Sequence, residues 1–535
     1  MIKTTFLNEK VAHHIENLVR ELTSELGTSP LTGNAYDTAW VANLKKVDSE
    51  GCPLPLYPQE LERLVNMQND DGSWGESRIH HHCDRLVNTL AATIVLQRWV
   101  LLDPAEFGEE NCDFVTLIEK GLSYLWRESL YIYYEHHELG GFELLVPALV
   151  EMAEKVNLLI PKHYYAQLEE QRKAKLAMMN NNPKMAYSKF NTLAYELEIM
   201  GSSVDPNLLP LAQEANGSVF TSPSATAFLL DVLPGNLPAR NYIDRMLEAC
   251  HQNGPPCFWP IEIYDVSFSL YHFITSGLLT EQPNLIFQLA SQQAILHDGL
   301  KPNGCLSTRE LSPSDGEDTA NAIYCLCAMG ELPDINILKS FEEEYGIRCF
   351  ERERNPSVTT NARSLLALSY YCEDPDFDRL TTKIIGFIAS QQQQGYYWTD
   401  KWQSSPYYAT EVVMQALSLP FYQNATTVPL VESALKWIKN TQGASGGWGF
   451  YDIETVEETA CAVKALLLDK SHCLANQKIA ERGIEFIIKK LSSETTSQWA
   501  VPLWIGKVLY APLNVVKATA LGALYAYYKR YEGVS

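Results

Sequence analysis

The chain has 535 residues, is 46% hydrophobic and carries a formal net charge of −23 at pH 7. Its length and apolar content allow about two to four domains with large cores. The acidic balance argues against a nucleic-acid partner, because proteins that bind nucleic acids present basic patches that neutralise phosphates. A small phosphorylated ligand needs only a few local cations and is not excluded.

The N-terminal segment MIKTTFLNEKVAHHIENLVRELT has helical spacing and lacks the apolar core of a signal peptide. No stretch approaches the roughly 18 uninterrupted apolar residues of a membrane span. The twelve cysteines form no C-x-x-C pair, so neither a zinc site nor a disulfide framework is predicted. We therefore expect a soluble, cytoplasmic protein without a transmembrane segment.

Apolar residues follow helical spacing almost throughout the chain, and the alternation typical of strands is rare. Several predicted helices share a signature of small residues, as in DTAWVA, NTLAATIVL, SATAFLL and DTANAIYCL. The signature recurs about every 40 to 60 residues in the C-terminal half, at Thr319, Thr360, Thr410, Thr459 and Thr519. Such a period predicts two-helix units whose inner helices approach closely. The expected fold is all-α, with two α/α barrels.

Gly-Trp turns connect some of these helices, as NDDGSWGE at 69–76, GASGGWGFYD at 443–452 and a weaker version at 393–402. Glycine permits the tight turn, and tryptophan can lie across the preceding helix end. We interpret these tryptophans as structural. The run His80, His81, His82 and Cys83 after the first turn could indicate a metal site. Consecutive residues rarely converge on one ion, so loop histidines are the favoured interpretation.

An acidic cluster lies in SPSDGEDTANAIY at 312–324, where a loop meets an apolar helix. In a structural interpretation Ser314 caps the helix and Glu317 completes a capping box. In a chemical interpretation Asp315, Glu317 and Asp318 form a proton donor. Carboxylates crowded into one turn cannot all ionise, so one retains its proton. These residues alone leave both interpretations open.

Several blocks together make the sequence resemble class II diterpene cyclases of the bacterial type nearly end to end. The blocks are NAYDTAWVA, DGSWGE followed by DRLVNTLAA, NGSVFTSPSATAFLL, NPSVTTNARSLLAL and LWIGKVLYAP. The signature of that family is D-x-D-D-T-A, in which the middle aspartate is the general acid. This chain has D-G-E-D-T-A, so the resemblance places Glu317 at the acid's position. Glutamate is intrinsically weaker by about 0.4 pKa unit. We expect activity to survive if the pocket fits the longer side chain, with an inactive relative as the alternative.

The resemblance implies further roles for individual residues. Asn355 matches the asparagine that orients the acid, while Asp315 and Asp318 would tune and reprotonate Glu317. It also implies two α/α barrels, called β and γ, with the active cavity between them. We expect residues 26–285 to form the γ barrel and residues 286–535 the β barrel. The helix at 1–25 would pack with the β barrel.

Class I motifs that ionise a diphosphate are not found in the sequence, so the resemblance implies that the diphosphate is retained. Lys175 and Lys507 align with family positions that face this group, and Lys401 is a third candidate. Solvated surface lysines are the alternative for each. Mg²⁺ is inferred from the chemistry of the substrate, without an identified ligand motif. No organic cofactor is expected.

Plant relatives that form the ent-copalyl skeleton end the cascade with a His/Asn pair that holds a water. Tyr195 and Cys257 occupy those positions here, as substrate-binding candidates. Neither reproduces the pair, which favours a rearranged skeleton or a different base.

We therefore expect cyclisation of a small isoprenoid diphosphate, most simply geranylgeranyl diphosphate, to a bicyclic labdane, halimadane or clerodane diphosphate. The enzyme would be a monomer or homodimer. Enzymatic alternatives are a cyclase of farnesyl diphosphate, a triterpene cyclase and a meroterpenoid cyclase. Alternatives of other classes are a non-catalytic α/α-barrel binding protein and a protein-prenyltransferase β-subunit. The last would need an Asp/Cys/His zinc set that the sequence does not show.

Overall fold

A computed structural model describes residues 2–102, 114–180, 183–311, 313–351, 353–469 and 474–531. Within these ranges the protein is mostly helical. In the first part of the chain the α-helices, numbered α1 to α14, are Ile2–Glu25, Ala35–Ala42, Pro58–Asn66, His82–Leu102, Phe114–Glu128, Phe142–Lys155, Ala166–Asn180, Pro183–Ala186, Pro223–Val232, Leu237–Ala249, Glu262–Thr275, Leu278–Glu281, Asn284–Gln288 and Ala290–Gly299.

The second part contains the helices α15 to α24, which are Gly316–Ala328, Asn336–Lys339, Val358–Leu368, Phe377–Ser390, Pro406–Leu417, Thr427–Asn440, Val456–Leu466, Leu474–Ser493, Thr496–Trp499 and Leu513–Tyr531. The 3₁₀ segments are Ser129–Tyr134, Lys162–Tyr165, Thr192–Ser203, Leu209–Ala212 and Pro420–Tyr422. Two antiparallel hairpins pair β1 (Lys45–Val47) with β2 (Pro53–Pro55) and β3 (Trp504–Ile505) with β4 (Leu509–Tyr510).

Two closed rings of inner helices organise these elements. In the first ring α2, α4, α6, the segment Thr192–Ser203 and α9 each contact the next, and α9 returns to α2. In the second ring α11, α15, α17, α19, α21 and α24 close in the same way. Outer helices pack on both rings, among them α3, α5, α7 and α10 on the first and α14, α18, α20 and α22 on the second. This is the predicted pair of α/α barrels.

The chain enters the second ring earlier than the sequence predicted. Helix α11 (Glu262–Thr275) lies between α15 and α24, so the expected division at residue 285 falls inside the second ring. Its sequence EIYDVSFSLYHFIT is rich in aromatic residues instead of the small residues by which the other ring helices were identified. Helix α1 packs on α24 and α22, on the outside of the same ring.

The tryptophans of the Gly-Trp turns are structural, as predicted. Each is fully buried, and each indole N–H donates 2.7–2.8 Å to a carbonyl of the preceding outer helix, at Leu64, Ile388 and Ile438 for Trp74, Trp398 and Trp448. Each backbone N–H donates to a threonine hydroxyl of the following ring helix, at Thr89, Thr410 and Thr459. The repeated threonine thus joins turn and ring helix.

The β3–β4 hairpin of the second ring reaches into the first ring. Gly506, at its tip, accepts a hydrogen bond of 2.8 Å from Gly140, and Leu509 donates 2.8 Å to the Asp84 carboxylate on α4. Residues of both rings therefore meet around this hairpin. Among the described helices, none combines the length and apolarity needed to cross a membrane.

Candidate active site

The acidic cluster forms the first turn of ring helix α15, but with a different cap from the one predicted. Asp315 is the N-cap, with extended backbone, and its Oδ1 accepts 2.7 Å from the Asp318 N–H. Ser314 instead donates 2.6 Å to the carbonyl of Asn303. The capping box of Ser314 and Glu317 is therefore wrong. Because Asp315 satisfies the helix start, the Glu317 carboxyl is free to point into the ring.

Gly316 lets a neighbouring loop close over this turn. Its N–H donates 3.0 Å to the carbonyl of Cys349. A Cβ at position 316 would lie 2.0 Å from the carbonyl oxygen of Arg348. Backbone yields less easily than a flexible side chain, so a larger residue between Asp315 and Glu317 would require the loop at Arg348 to move.

Glu317 is buried against the first turn of α17. Its Oε1 accepts 2.8 Å from the Thr359 hydroxyl, and its Oε2 accepts 3.0 Å from the Thr360 hydroxyl. The Ser357 hydroxyl lies 3.4 Å from Oε2 but gives its one proton to Asp400 at 2.9 Å. The Nε of Arg363, one turn further along α17, lies 3.3 Å from Oε1. Two threonine hydroxyls and one guanidinium thus hold both carboxyl oxygens, an arrangement suited to stabilising the carboxylate left after a proton has departed.

Arg363 is a fully buried cation among aromatic rings. Its Nη1 donates 2.8 Å to the Asn321 side chain, and its Nη2 donates 3.0 Å to the Tyr408 hydroxyl. The guanidinium carbon lies 4.2 Å from the ring centroid of Phe268 and 4.4 Å from that of Tyr271. These contacts compensate the charge and fix the side chain.

Asp400 brings a further carboxylate to the start of α17. Its Oδ1 accepts from the Ser357 hydroxyl at 2.9 Å and from the backbone N–H groups of Val358 and Thr359 at 2.7 and 3.0 Å. Asp400 therefore positions two residues that contact Glu317 while placing a negative charge behind them.

The electrostatics of the cluster keep a proton on it near neutral pH. Burial raises the pKa of Glu317 to about 7, with the charge of Asp400 adding to the rise and Arg363 opposing it. Burial also raises the pKa of Asp315 to about 6. The pKa of Asp318 is well above its usual range, through burial and the adjacent Asp315. Three crowded carboxyls cannot all be ionised, as expected from the sequence.

Asn355 does not aim the acid. It is exposed, in the loop that precedes the N-cap Ser357, whereas Glu317 is contacted by hydroxyls at and after that cap. The prediction for Asn355 is therefore wrong. Pro356 follows it and disfavours helical backbone at residue 355, which leaves its side chain outside the turn that faces the ring.

Lys401 lies at the acid end of the site, away from the other predicted lysines. It forms an ion pair with Glu353, and its ammonium lies 4.8 Å from the Trp402 ring centroid. Its charge opposes the rise in the pKa of Asp315. The structure thus separates Lys401 from the residues around Lys507, and a role in holding the diphosphate with them is not supported.

Lys507 extends from the tip of the β3–β4 hairpin into the first ring and is fully buried. Its ammonium pairs with Glu198 at 2.5 Å and donates 2.8 Å to the hydroxyls of Ser222 and Ser224. It also lies 4.5 Å from the ring centroid of Tyr195. Its charge is therefore neutralised within the protein, and Lys507 joins the two rings.

Tyr195 and Cys257 meet beside Lys507. The Tyr195 hydroxyl and the Cys257 sulfur both lie 3.2 Å from the point where a Cβ of Gly506 would sit. The hydroxyl is buried and has no hydrogen-bond partner among the described residues. The sulfur accepts 3.5 Å from the Asn34 amide.

Lys175 is more accessible than Lys507, with 44% of its side chain exposed. It forms an ion pair with Glu143 of α6. Glu196 lies near both: burial raises its pKa to about 7, Lys507 and Lys175 oppose the rise, and Glu143 adds to it. At this end of the contact between the two rings, carboxyl groups therefore lie next to ammonium groups. Sequence patterns did not indicate Glu143 or Glu196.

Aromatic side chains connect the acid to this charged group in a continuous series. Neighbouring rings have centroids 4.2–6.5 Å apart, in the set Phe268, Tyr264, Tyr408, Trp504, Tyr510, Phe258, Tyr195 and Phe220. One end contacts Arg363 and the other contacts Lys507. The series offers aromatic faces along the whole distance between the two charged groups.

A second buried carboxyl, Glu457, lies beside this series. Its Oε1 accepts 2.9 Å from the Trp504 indole, and its Oε2 lacks a hydrogen-bond partner within the described ranges. Burial raises its pKa to about 8. Glu457 is the second residue of α21, as Glu317 is of α15, so the helical repeat places both carboxyls at the same level of the ring. In the sequence, the small-residue repeat of the ring helices was the pattern that could have identified Glu457.

Relatives match nearly the whole chain. The family described as Squalene-hopene cyclase C-terminal domain matches residues 353–508. The chain is 32% identical over 515 residues to the type B diterpene cyclase of Mycobacterium tuberculosis, across 92% of this chain and 95% of that protein. It is 29% identical over 541 residues to (+)-kolavenyl diphosphate synthase of Herpetosiphon aurantiacus, across 95% and 96%.

A solved structure gives the same result for the architecture. The ent-copalyl diphosphate synthase from Streptomyces platensis matches with a TM-score of 0.78 and 25% identity, covering 97% of this chain and 99% of that one. The buried acidic turn of α15 and the two helical rings are consistent with these matches. The chain belongs to the class II diterpene cyclases and is an enzyme of that family.

Proposed function

We propose that the protein protonates the terminal alkene of geranylgeranyl diphosphate and closes it to a bicyclic diphosphate. The observation that carries the proposal is the position of Glu317. This buried carboxyl, with a pKa of about 7, stands at one end of an aromatic series whose other end meets Lys507. A substrate with an alkene at one end and a diphosphate at the other matches this arrangement, which has an acid at one end and cations at the other.

In the first step Glu317 gives its proton to the terminal alkene. The electrons of the double bond form the new C–H bond, and the neighbouring carbon becomes a cation. The Glu317 carboxylate that remains is held by Thr359, Thr360 and Arg363. These groups gain strength as negative charge develops on the carboxyl, so they favour the transition state over the ground state.

The following alkenes attack the cation in turn, and each attack converts a double bond into a ring bond. Buried aromatic faces attract the migrating positive charge, and the closed surroundings exclude water that would capture it. Transfer of one proton from carbon to a base or a water molecule ends the cascade, and the electrons of the broken C–H bond form the product alkene. The bond between carbon and diphosphate oxygen is never broken.

We place the diphosphate end at Lys175. Lys507 is enclosed and already paired with Glu198, whereas Lys175 is partly exposed at the edge of the same charged group. Glu143 and Glu196 offer carboxylate oxygens, the ligands that Mg²⁺ prefers, so the residues present fit a magnesium ion. When bound, that ion would offset the charge of the diphosphate.

The surroundings of Tyr195 and Cys257 favour a product other than the ent-copalyl skeleton. Burial raises the pKa of both side chains well above the usual range, so both are neutral, and neither is a strong base. The relative named for kolavenyl diphosphate accords with a rearranged skeleton. Farnesyl diphosphate is the alternative substrate, since the aromatic series sets no chain length by itself.

The test is incubation of the purified enzyme with geranylgeranyl and farnesyl diphosphates, with and without Mg²⁺. Products are treated with phosphatase and identified by mass spectrometry and NMR. We expect a bicyclic C20 alcohol from geranylgeranyl diphosphate. Recovery of linear alcohols alone from every substrate would contradict the proposal, and a cyclic product from farnesyl diphosphate alone would change the substrate.

A further inference from the structure

The three histidines before α4 separate into two environments. His81 turns inward, is fully buried and has its Nδ1 3.5 Å from the Glu135 carboxylate. Its ring also approaches that of Tyr451 in the second ring, at 6.2 Å between centroids. His80 and His82 turn outward on the same side. The sequence-based argument concerned consecutive residues, whereas the two histidines that approach each other here are alternate residues.

His80 and His82 meet a carboxylate from another helix. The Nε2 of His80 and the Nδ1 of His82 share a hydrogen bond of 3.2 Å, which a bound ion would replace. Glu128, the last residue of α5, completes a group whose ligand atoms all lie within 4.8 Å of one another. Arg127 donates to Oε1 of Glu128, which leaves its Oε2 for another partner.

This geometry suits a transition-metal ion. Two imidazole nitrogens on a tetrahedral zinc ion stand about 3.3 Å apart, since each Zn–N bond is about 2.0–2.1 Å. The ring of His82 is stacked on Tyr131, with centroids 5.4 Å apart and planes at 23°, so its orientation is restricted before any ion arrives. Two imidazoles and a carboxylate suit Zn²⁺, Ni²⁺ or Cu²⁺, whereas Mg²⁺ prefers oxygen ligands alone.

We propose that His80, His82 and Glu128 form a binding site for a divalent ion of the zinc class, separate from the diphosphate site. The fourth position would be taken by water. The ion would join the beginning of α4 to the end of α5. Asp84, two residues after His82, accepts a hydrogen bond from the β3–β4 hairpin. The site would therefore stiffen the contact between the two rings.

The experiment uses full-length, untagged protein that has been treated with a chelator and dialysed. Zn²⁺ is titrated by calorimetry, and Co²⁺ is titrated with its visible absorption as a report of tetrahedral coordination. We expect one ion per chain and a higher thermal midpoint with Zn²⁺. His80→Ala and His82→Ala should each weaken binding by at least about tenfold, because each removes one of three protein ligands.

His297→Ala is the matched control, since His297 forms an exposed pair with Glu331 at 2.8 Å but has no second histidine in that pair. This variant should bind Zn²⁺ as the parent does. Binding weakened equally in the control, unchanged affinity in both loop variants, or no stoichiometric Zn²⁺ in the parent would each overturn the proposal. Circular dichroism of every variant shows whether the fold is retained.

Discussion

Arg363 lies against Glu317 inside the second ring, with its Nε 3.3 Å from Oε1 and both side chains buried. A cation beside a general acid favours the ionised form, which opposes the effect of burial. Asp400, which accepts a hydrogen bond from the Ser357 hydroxyl at the start of α17, favours the protonated form of Glu317. The proton on Glu317 therefore depends on two residues with opposite charges, and their removal should have opposite effects.

Replacement of Arg363 by glutamine should move the alkaline limb of the pH profile upward. Arg363 lowers the pKa of Glu317, so without it the acid stays protonated to higher pH. The same change makes the acid weaker and less well positioned, so kcat should fall by about tenfold to a hundredfold. The measurement is kcat/KM from pH 5.5 to 9, with a parent profile that falls above about 7. Arg363→Lys should leave the limb in place, and a shift to lower pH in Arg363→Gln would be contrary to this account.

Replacement of Asp400 by asparagine should move the same limb downward. Asp400 raises the pKa of Glu317, so its neutralisation lets the acid ionise at lower pH. Activity at pH 8 should then fall more than activity at pH 6. The same pH series checks it, and movement of the two limbs in the same direction in Arg363→Gln and Asp400→Asn would show that charge is not the cause.

Gly316→Ala should disrupt the acid turn, because the added Cβ would lie 2.0 Å from the Arg348 carbonyl. Strain from such overpacking is typically about 1–3 kcal/mol, and the movement should also reduce kcat. Gly386→Ala is the matched control: it lies inside α18, with no atom within 4 Å of the added Cβ. It should raise stability by up to about 1 kcal/mol. Thermal unfolding and kcat are compared, and equal effects of the two substitutions would refute the role of the close approach.

Lys175 and Lys507 should differ in the kind of damage that their loss causes. Lys175→Ala should raise KM for the diphosphate with little change in the thermal midpoint, because Lys175 is partly exposed. Lys507→Met leaves Glu198 buried without its cation, which typically costs about 3–5 kcal/mol. Steady-state kinetics and thermal unfolding of both variants provide the measurement. A higher KM with unchanged stability in Lys507→Met would place the diphosphate at Lys507 instead.

The periodic small residues predicted most of the ring helices, because inner helices need small residues for close approach. They did not identify α11, where aromatic side chains take their place, nor α6 and the segment Thr192–Ser203 of the first ring. The position of Glu317 within the acidic motif identified it as the acid, yet the motif could not show what surrounds the carboxyl. Whether residues before or after Ser357 face the acid depends on where α17 begins, so Asn355 was chosen wrongly. Arg363 lies within a helix that otherwise has the pattern of a core helix, and its partners come from three other elements.

The central claim is that Glu317 donates the proton that starts cyclisation. Glu317→Gln retains the shape of the side chain and removes the acidic proton, while Glu317→Asp retains the acid and shortens its reach. Single-turnover reactions with geranylgeranyl diphosphate, with thermal unfolding as the check of the fold, give the most direct test. The account predicts no cyclic product from a folded Glu317→Gln enzyme and partial activity from Glu317→Asp. A folded Glu317→Gln enzyme that forms the bicyclic diphosphate at the parent rate would contradict it.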